Sequence, residues 1–307
     1  MRFTGVSTEP GGAGLTVHTS VTNPSTRPGL RLPGRVTLTA GAADVPVGHV
    51  RLGLVAAVEP VAPEAPRRLT QFHQAAVAGG FVLPAGRRRS IPFALPLPWE
   101  TPVTIFGGVP LLNLRTGLRT EVAVDPLRDE GAMVPVFVHP LPTQQHVLAA
   151  LDTLGFSLRQ AGLQEGRLPG VAQTLPLHQR LNYWVGPLYA GPITELELIF
   201  VADPATLEVI LWVDRRLSLA GVTHQSISRF KAWHADAAAR DWVSVVDGWL
   251  RETINRHAAA AAHAHWSARI TGSAHVSRPP DRPVAPGEGL GGTAGGAGIG
   301  GGAGDGT

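Results

Sequence analysis

Ahead of residue 140 the chain is a series of short segments in which apolar and polar residues alternate, each cut off by glycine or proline, with no helical period among them. Leu15, Val17, Thr19 and Val21 alternate with Thr16, His18, Ser20 and Thr22 before Asn23-Pro24 and Pro28-Gly29 stop the run. Val36 and Leu38 then face away from Thr37 and Thr39, Val50, Leu52 and Leu54 share a face, and runs at Leu69–Val77 and Arg89–Leu95 follow. A period of two places successive side chains on opposite sides of a sheet, so each run is a half-buried strand. A succession of such strands joined by turns predicts an antiparallel β-sandwich.

Pro96, Pro98 and Pro102 withhold backbone donors, which makes residues 96–110 a rigid crossing loop rather than a central strand. Gly117–Val124 and Met133–His139 close a first domain, residues 1–139, with the turn-forming Asp125–Gly131 inside a hinge at about 125–142. A second domain, 140–232, opens with a helix over 143–154: Thr143 suits an N-cap, Val147, Leu148, Leu151 and Leu154 form one stripe, and Gly155 ends it. Strands follow at Phe156–Leu163, Val171–Leu177, Ile193–Val201 and Thr206–Val213, and in the third of these Leu196, Leu198 and Phe200 form a core row opposite a wetter row of Glu195, Glu197 and Ile199. The fold class expected is therefore mainly β: two antiparallel β-sandwich domains, the second opened by a short helix.

From Trp233 the period changes to that of an amphipathic helix, assigned to 233–266. Trp242, Val246 and Trp249 share its apolar stripe, while Asp247/Arg251 and Glu252/Arg256 make i,i+4 pairs on the other side. The stripe either docks on its own second domain or serves a partner, including a second copy. Residues 275–307 are too rich in glycine and proline to bury a core and read as a disordered tail.

At 307 residues the chain exceeds one ordinary core, in keeping with two units plus a tail. Cysteine is absent, which removes disulfides, thiol chemistry and thiolate metal sites. The net charge is +3 and nearly every basic residue is arginine, Lys231 being the one lysine. The clusters Arg67-Arg68 and Arg87-Arg88-Arg89 read as guards of strand edges. Nucleic-acid binding would call for a broader basic stripe interleaved with aromatics, and aromatics are only 6% of the chain. No run approaches the roughly 18 apolar residues of a spanning helix, and the first residues lack a signal-type apolar stretch, so a cytoplasmic protein without membrane insertion is expected. There is no GxSxG elbow, no GxxxxGK[ST] phosphate loop and no HExxH pair; no enzyme activity and no cofactor are expected. His257, His263 and His265, with His234 upstream, are spaced by six and two, which puts their rings on different helix faces and argues against a metal site.

The segments VDPLRD (Val124–Asp129), HPLPTQQHVLAALDTLGF (His139–Phe156) and ELELIFVADPATLEVILWVDRR (Glu195–Arg216), with LPWETPVTI (Leu97–Ile105) before them, resemble the bacterial sporulation-control family of SpoOM type. The resemblance extends over roughly residues 14–250 and implies an arrestin-like fold and a regulatory scaffold without catalytic residues. It implies protein partners, such as division, cytoskeletal or sporulation factors, and self-association, with a homodimer as one form. It also raises the question of a polar contact between domains. Asp125, Arg128 and Asp129 on the hinge, with Asp214, Arg215 and Arg216 at the end of the last alternating strand, are the candidates; solvated turn residues are the plainer reading of the hinge carboxylates, Glu130 included. A different reading makes the protein a small-molecule or glycan-binding module, with Tyr183, Trp184 and Tyr189 as an aromatic platform in a Gly/Pro-rich loop; simple packing of that loop is the alternative for those residues.

Overall fold

In the computed structural model the described residues are 4–8, 14–60, 66–112, 114–124, 127–130, 133–216 and 223–272, with side chains described through 14–60, 66–112, 114–124, 133–213 and 226–260. Two sheets make the first lobe. One runs in the order β1 (Thr4–Thr8), β2 (Leu15–Val21), β4 (Arg31–Ala40) and β8 (Arg88–Pro96), antiparallel throughout. The other runs β3 (Ser25–Thr26), β13 (Val134–Val138), β11 (Thr116–Val124), β5 (Val45–Val58) and β6 (Arg68–Ala78), with β12 (Leu127–Glu130) beside β11 and β7 (Phe81–Leu83) beside β5. The alternation seen in the sequence is the alternation of burial: Leu15, Val17, Thr19 and Val21 are buried while the residues between them are half-buried. Their facing layer is Leu118, Thr120 and Val122 of β11, and the two buried threonines satisfy one another across the core, Thr19 Oγ1 to Thr120 Oγ1 at 2.6 Å. Such mutual pairing removes the penalty that an unpaired buried hydroxyl would carry.

Gly34, in the middle of β4, is required by close approach. A Cβ there would lie 2.3 Å from Cζ of Phe93 and 2.4 Å from the Ser20 carbonyl oxygen, so the phenyl ring occupies the space a side chain would need. After β8 the proline-rich segment forms the expected loop, interrupted by a small hairpin of β9 (Ile105–Phe106) and β10 (Val109–Pro110). Leu127–Glu130 hairpins back on β11 inside the first lobe, and the chain passes to the second lobe across His139–Leu141. Asp125 lies outside the described residues.

The second lobe is one five-stranded antiparallel sheet, β14 (Ser157–Glu165), β15 (Leu177–Trp184), β16 (Glu195–Ala202), β17 (Thr206–Arg216) and β18 (Thr223–Trp233), in sequence order. Its facing layer, among the described residues, is helical where a second sheet was expected: α1 (Pro142–Thr153) and α2 (Trp242–Gly272). His146 of α1 stacks on Trp242 at 5.8 Å, and Trp249 stacks on Phe230 of β18 at 5.1 Å. Leu198, Leu211 and Leu250 are fully buried in this core. No described helix is long and apolar enough to cross a membrane.

Several local expectations change. The N-cap of α1 is Leu141, not Thr143: Pro142 occupies the first helical position, and Gln144 Oε1 accepts the Leu141 N–H at 2.8 Å. The helix ends as its glycine predicts. Gly155 has φ +85°, its N–H reaches the Asp152 carbonyl at 3.0 Å, and the Phe156 N–H reaches Leu151 at 2.9 Å, a Schellman closure that delivers Phe156 into the core. Residues 171–176 are not a strand, because Gln173 Nε2 gathers the carbonyls of Gly166, Leu175 and Leu177 into a loop. That loop lays Leu168 and Val171 over Ile199, Val201 and Ile210, so the row expected to be wet is half covered. Trp233, expected to start the helix, ends a strand at residues 223–233, and the helix begins at Trp242.

Candidate functional site

Polar clamps cross the seam between the two lobes, beside a hydrophobic core that runs from one lobe into the other. Gln179 of β15 places its amide against the backbone of Val103 in the first lobe, Oε1 accepting from the N–H at 2.9 Å and Nε2 donating to the carbonyl at 2.7 Å. A side chain thus imitates one rung of a strand ladder. From the other side Glu100, next to Trp99 in the crossing loop, accepts the Thr174 N–H at 2.7 Å, the Thr174 hydroxyl at 2.8 Å and the Leu175 N–H at 2.9 Å. Each clamp satisfies backbone groups in loops that have no ladder partner of their own.

A charged cluster forms the rim where the end of β5 meets β14. The Glu59 N–H donates to the Leu163 carbonyl at 2.7 Å, and Gln160 Nε2 donates to Glu59 Oε1 at 3.0 Å. The Glu59 carboxylate rests over Gly162, where a Cβ would lie 2.2 Å from Oε1 and push the carboxylate aside. Glu165 pairs with Arg68 and accepts the Thr70 hydroxyl at 2.6 Å; the Thr70 bond first, and then Arg68, hold its carboxyl below the usual range. At the far end His234 stacks on Trp99 at 5.8 Å, its Nε2 donating to the Asp203 carbonyl at 3.0 Å and its Nδ1 bonding the Thr143 hydroxyl at 2.7 Å. The hydroxyl assigned to the helix cap therefore belongs to the seam.

Arg128 and Asp129 lie on β12, opposite Ala123 and Val122, and Asp214, Arg215 and Arg216 lie on β17, opposite Gln225, His224 and Thr223. Their side chains lie outside the described residues. Trp242 and Val246 are buried in the second lobe and Trp249 is half-buried there. Tyr183, Trp184 and Tyr189 do not form a platform. Tyr183 is a buried residue of β15 whose hydroxyl burial pushes well up; Tyr189 is buried against Phe156 and donates to Asp247, its hydroxyl pushed up to about 12 by burial and then by that bond; Trp184 alone is exposed, under the Arg159 guanidinium at 4.8 Å. Tyr183 points inward because β15 continues through Tyr183-Trp184 where a loop was expected, and Tyr189 turns inward from the loop that follows. A groove of about 300 Å³ does open between the β9–β10 hairpin and β14, lined by Phe106, Val109, Leu112 and Leu158.

Sequence reasoning missed Glu100 and Gln179. Glu100 was visible as the one carboxylate in a proline-rich loop, but its partners lie 74 and 75 positions away.

Two lobes, each built mainly on antiparallel sheet and joined by a shared apolar core, backbone clamps and a charged rim, define a mainly β protein. The chain belongs to the SpoOM protein family, which it matches over residues 6–217. It is similar to the sporulation-control protein spo0M of Bacillus subtilis (strain 168), with 28% identity over 191 residues, 62% of this chain and 71% of that one. The crystal structure of Spo0M from Bacillus subtilis superposes with a TM-score of 0.66 at 23% identity, covering 80% of this chain and 99% of that one, which establishes a shared fold.

Proposed function

We propose that this protein is a non-enzymatic regulator of sporulation or an allied developmental process, acting in the cytoplasm by binding other proteins, with the seam setting the angle between its two lobes. The single observation behind this reading is the chemistry of the seam. Hydrogen bonds and half-exposed ion pairs exchange readily with water, so each contributes a modest net amount, about 1 kcal/mol. Contacts of that kind are re-made at small cost beside the apolar core that the lobes share, and a partner that grips both lobes can select among their arrangements. The proposed partners are division, cytoskeletal or sporulation proteins, or a second copy of the chain.

The test is crosslinking of a tagged copy in the source bacterium, with the wild type beside Glu100→Ala and Gln179→Ala. Enrichment of such factors that changes in the clamp variants supports the reading; an unchanged list removes the seam from it. Asp125, Arg128, Asp129 and Asp214–Arg216 enter as a second proposed contact between the lobes. Asp125→Ala or Arg215→Ala should broaden the scattering profile without lowering the melting temperature, and unchanged profiles for both would end that part. The groove beside β14 favours a second reading, a small apolar ligand, which a thermal-shift panel would reveal as a raised melting temperature in the wild type that is absent in Leu158→Asn.

A further inference from the structure

The outward face of the first sheet carries an arrangement of charge found nowhere else among the described residues. Register places Arg31 opposite Pro96, Arg35 opposite Pro92 and Arg88 opposite Thr39, so these three arginines run along β4 and β8 on one side of the sheet. At about 3.3 Å per residue and about 4.8 Å between strands, neighbours are about 13 to 14 Å apart and the row is about 27 Å long. Arg27 extends it at one end and Arg87 at the other, both exposed, while Arg89 turns to the inner side of the sheet. Between them stand hydroxyls and prolines: Thr37, Thr39, Ser90, Pro33 and Pro92. Strands β2, β4 and β8 contain no aspartate or glutamate. Arg35 donates to the Ser90 hydroxyl at 2.9 Å and Arg31 to the Ala94 carbonyl at 3.3 Å, so local contacts hold these side chains, and no carboxylate among the described residues pairs with them. The carboxylate at that rim, Asp44, accepts the Ala85 N–H at 2.8 Å.

We propose that this face docks peripherally on an anionic phospholipid surface. The row offers cations at wide, even spacing over an open face without a pocket, which suits a laterally mobile layer of headgroups. A stable protein interface would need a desolvated apolar centre, and the face supplies arginine, proline and hydroxyls with only Ala94 and the half-buried His18 among them. Strand addition at the edge of this sheet is opposed by Pro92 and Pro96 on β8. Single-stranded nucleic acid would need a run of stacking rings, and the described residues of the face offer one ring, the half-buried His18. An apolar group flanks the arginines instead: Leu30, beside Arg31, is 53% exposed. Such groups gain from the boundary between headgroups and acyl chains and gain nothing from a phosphate backbone.

The experiment is flotation of the full-length protein with phosphatidylcholine vesicles, with and without phosphatidylglycerol, at low and physiological salt. Wild type should bind the anionic vesicles alone, less at the higher salt. Each basic side chain near such a surface is worth about fivefold in affinity, so Arg31→Gln/Arg35→Gln/Arg88→Gln should lose about 100-fold. Arg240→Gln/Arg251→Gln/Arg256→Gln, which removes the same net charge from paired positions, should retain binding. Leu30→Ser should weaken vesicle binding several-fold and leave any binding to duplex DNA unchanged. Equal binding to neutral vesicles, equal loss in both triple variants, or duplex DNA bound more tightly than anionic vesicles through the same three arginines would each overturn the proposal, the last in favour of nucleic acid. All variants change exposed residues, and unchanged circular dichroism melts confirm that they fold.

Discussion

The arginines of the two lobes carry the same charge and meet opposite neighbours. In the second lobe Arg159 pairs with Glu195, Arg180 with Glu197, Arg229 with Glu208, Arg240 with Asp236, Arg251 with Asp247 and Arg256 with Glu252. In the first sheet Arg31, Arg35 and Arg88 face hydroxyls and carbonyls. Stability does not account for the difference, since exposed pairs contribute little and a row of like charges costs some repulsion. Where pairing brings no large gain, its use at six arginines of one lobe, with Arg167 on a carbonyl instead, and its absence among the described residues of a whole sheet of the other point to the surfaces themselves. The second lobe presents a locally neutral skin, the first sheet a field.

The comparison assumes lobes that are intact and coupled, and the largest effects test that. Leu198 is fully buried at the centre of the second sheet, and Leu198→Ala should cost about 2 to 5 kcal/mol. Gly34→Ala in the first sheet forces Phe93 aside and should cost about 1 to 3 kcal/mol. If the seam couples the lobes, either variant lowers one common melting transition; two separated transitions would show that the lobes unfold independently. Next comes the clamp itself. Gln179→Ala strands the N–H and carbonyl of Val103, a loss of about 1 to 3 kcal/mol, and should split a common transition in calorimetry.

These tests concern features of very unequal visibility in the sequence. The first sandwich was legible because its strands have one wet face, and β16–β17 because the turn at Asp203 separates two alternating runs; there Asp203 Oδ1 accepts the N–H groups of Ala205 and Thr206, both at 2.7 Å. Strand β18 was hidden. Its inward row includes Ser226 and Ser228, which meet His257 and Arg256 of α2 at 3.0 and 3.1 Å, so a core-facing strand lacks the apolar alternation that marks one. The seam was hidden for another reason. Glu100 and Gln179 bind backbone atoms, and a backbone partner leaves no residue type to search for. The hinge drew attention to charged residues, whereas an uncharged amide makes the most central clamp.

Acid sharpens the picture of the rim. A carboxyl held below its ordinary value in the folded protein adds stability above the unfolded pKa, near 4.3 for glutamate, and loses it as pH falls through the folded one. Glu165 is such a group, and its largest cause is the Thr70 hydroxyl. Thr70→Ala should therefore raise the Glu165 midpoint toward its ordinary value in a carbon-detected NMR titration, and the seam should loosen at a higher pH than in the wild type. A midpoint that stays put in this variant would mean that Arg68 alone holds the carboxylate.

The smallest effect bears most directly on the contrast between the arginines. Arg256→Gln breaks an i,i+4 pair with Glu252 made at 2.6 Å, and should destabilise by about 0.3 kcal/mol at low salt, less as salt rises. Arg35→Gln removes a like-charged neighbour from the row and keeps a donor for Ser90, so the melting temperature should hold or rise slightly at low salt. Opposite signs in the two variants, converging as salt is added, would show that one lobe uses its arginines for internal pairing and the other keeps them against a standing repulsion. A loss of equal size in both would mean that Arg35 is paired in solution, and the contrast between the lobes would disappear with it.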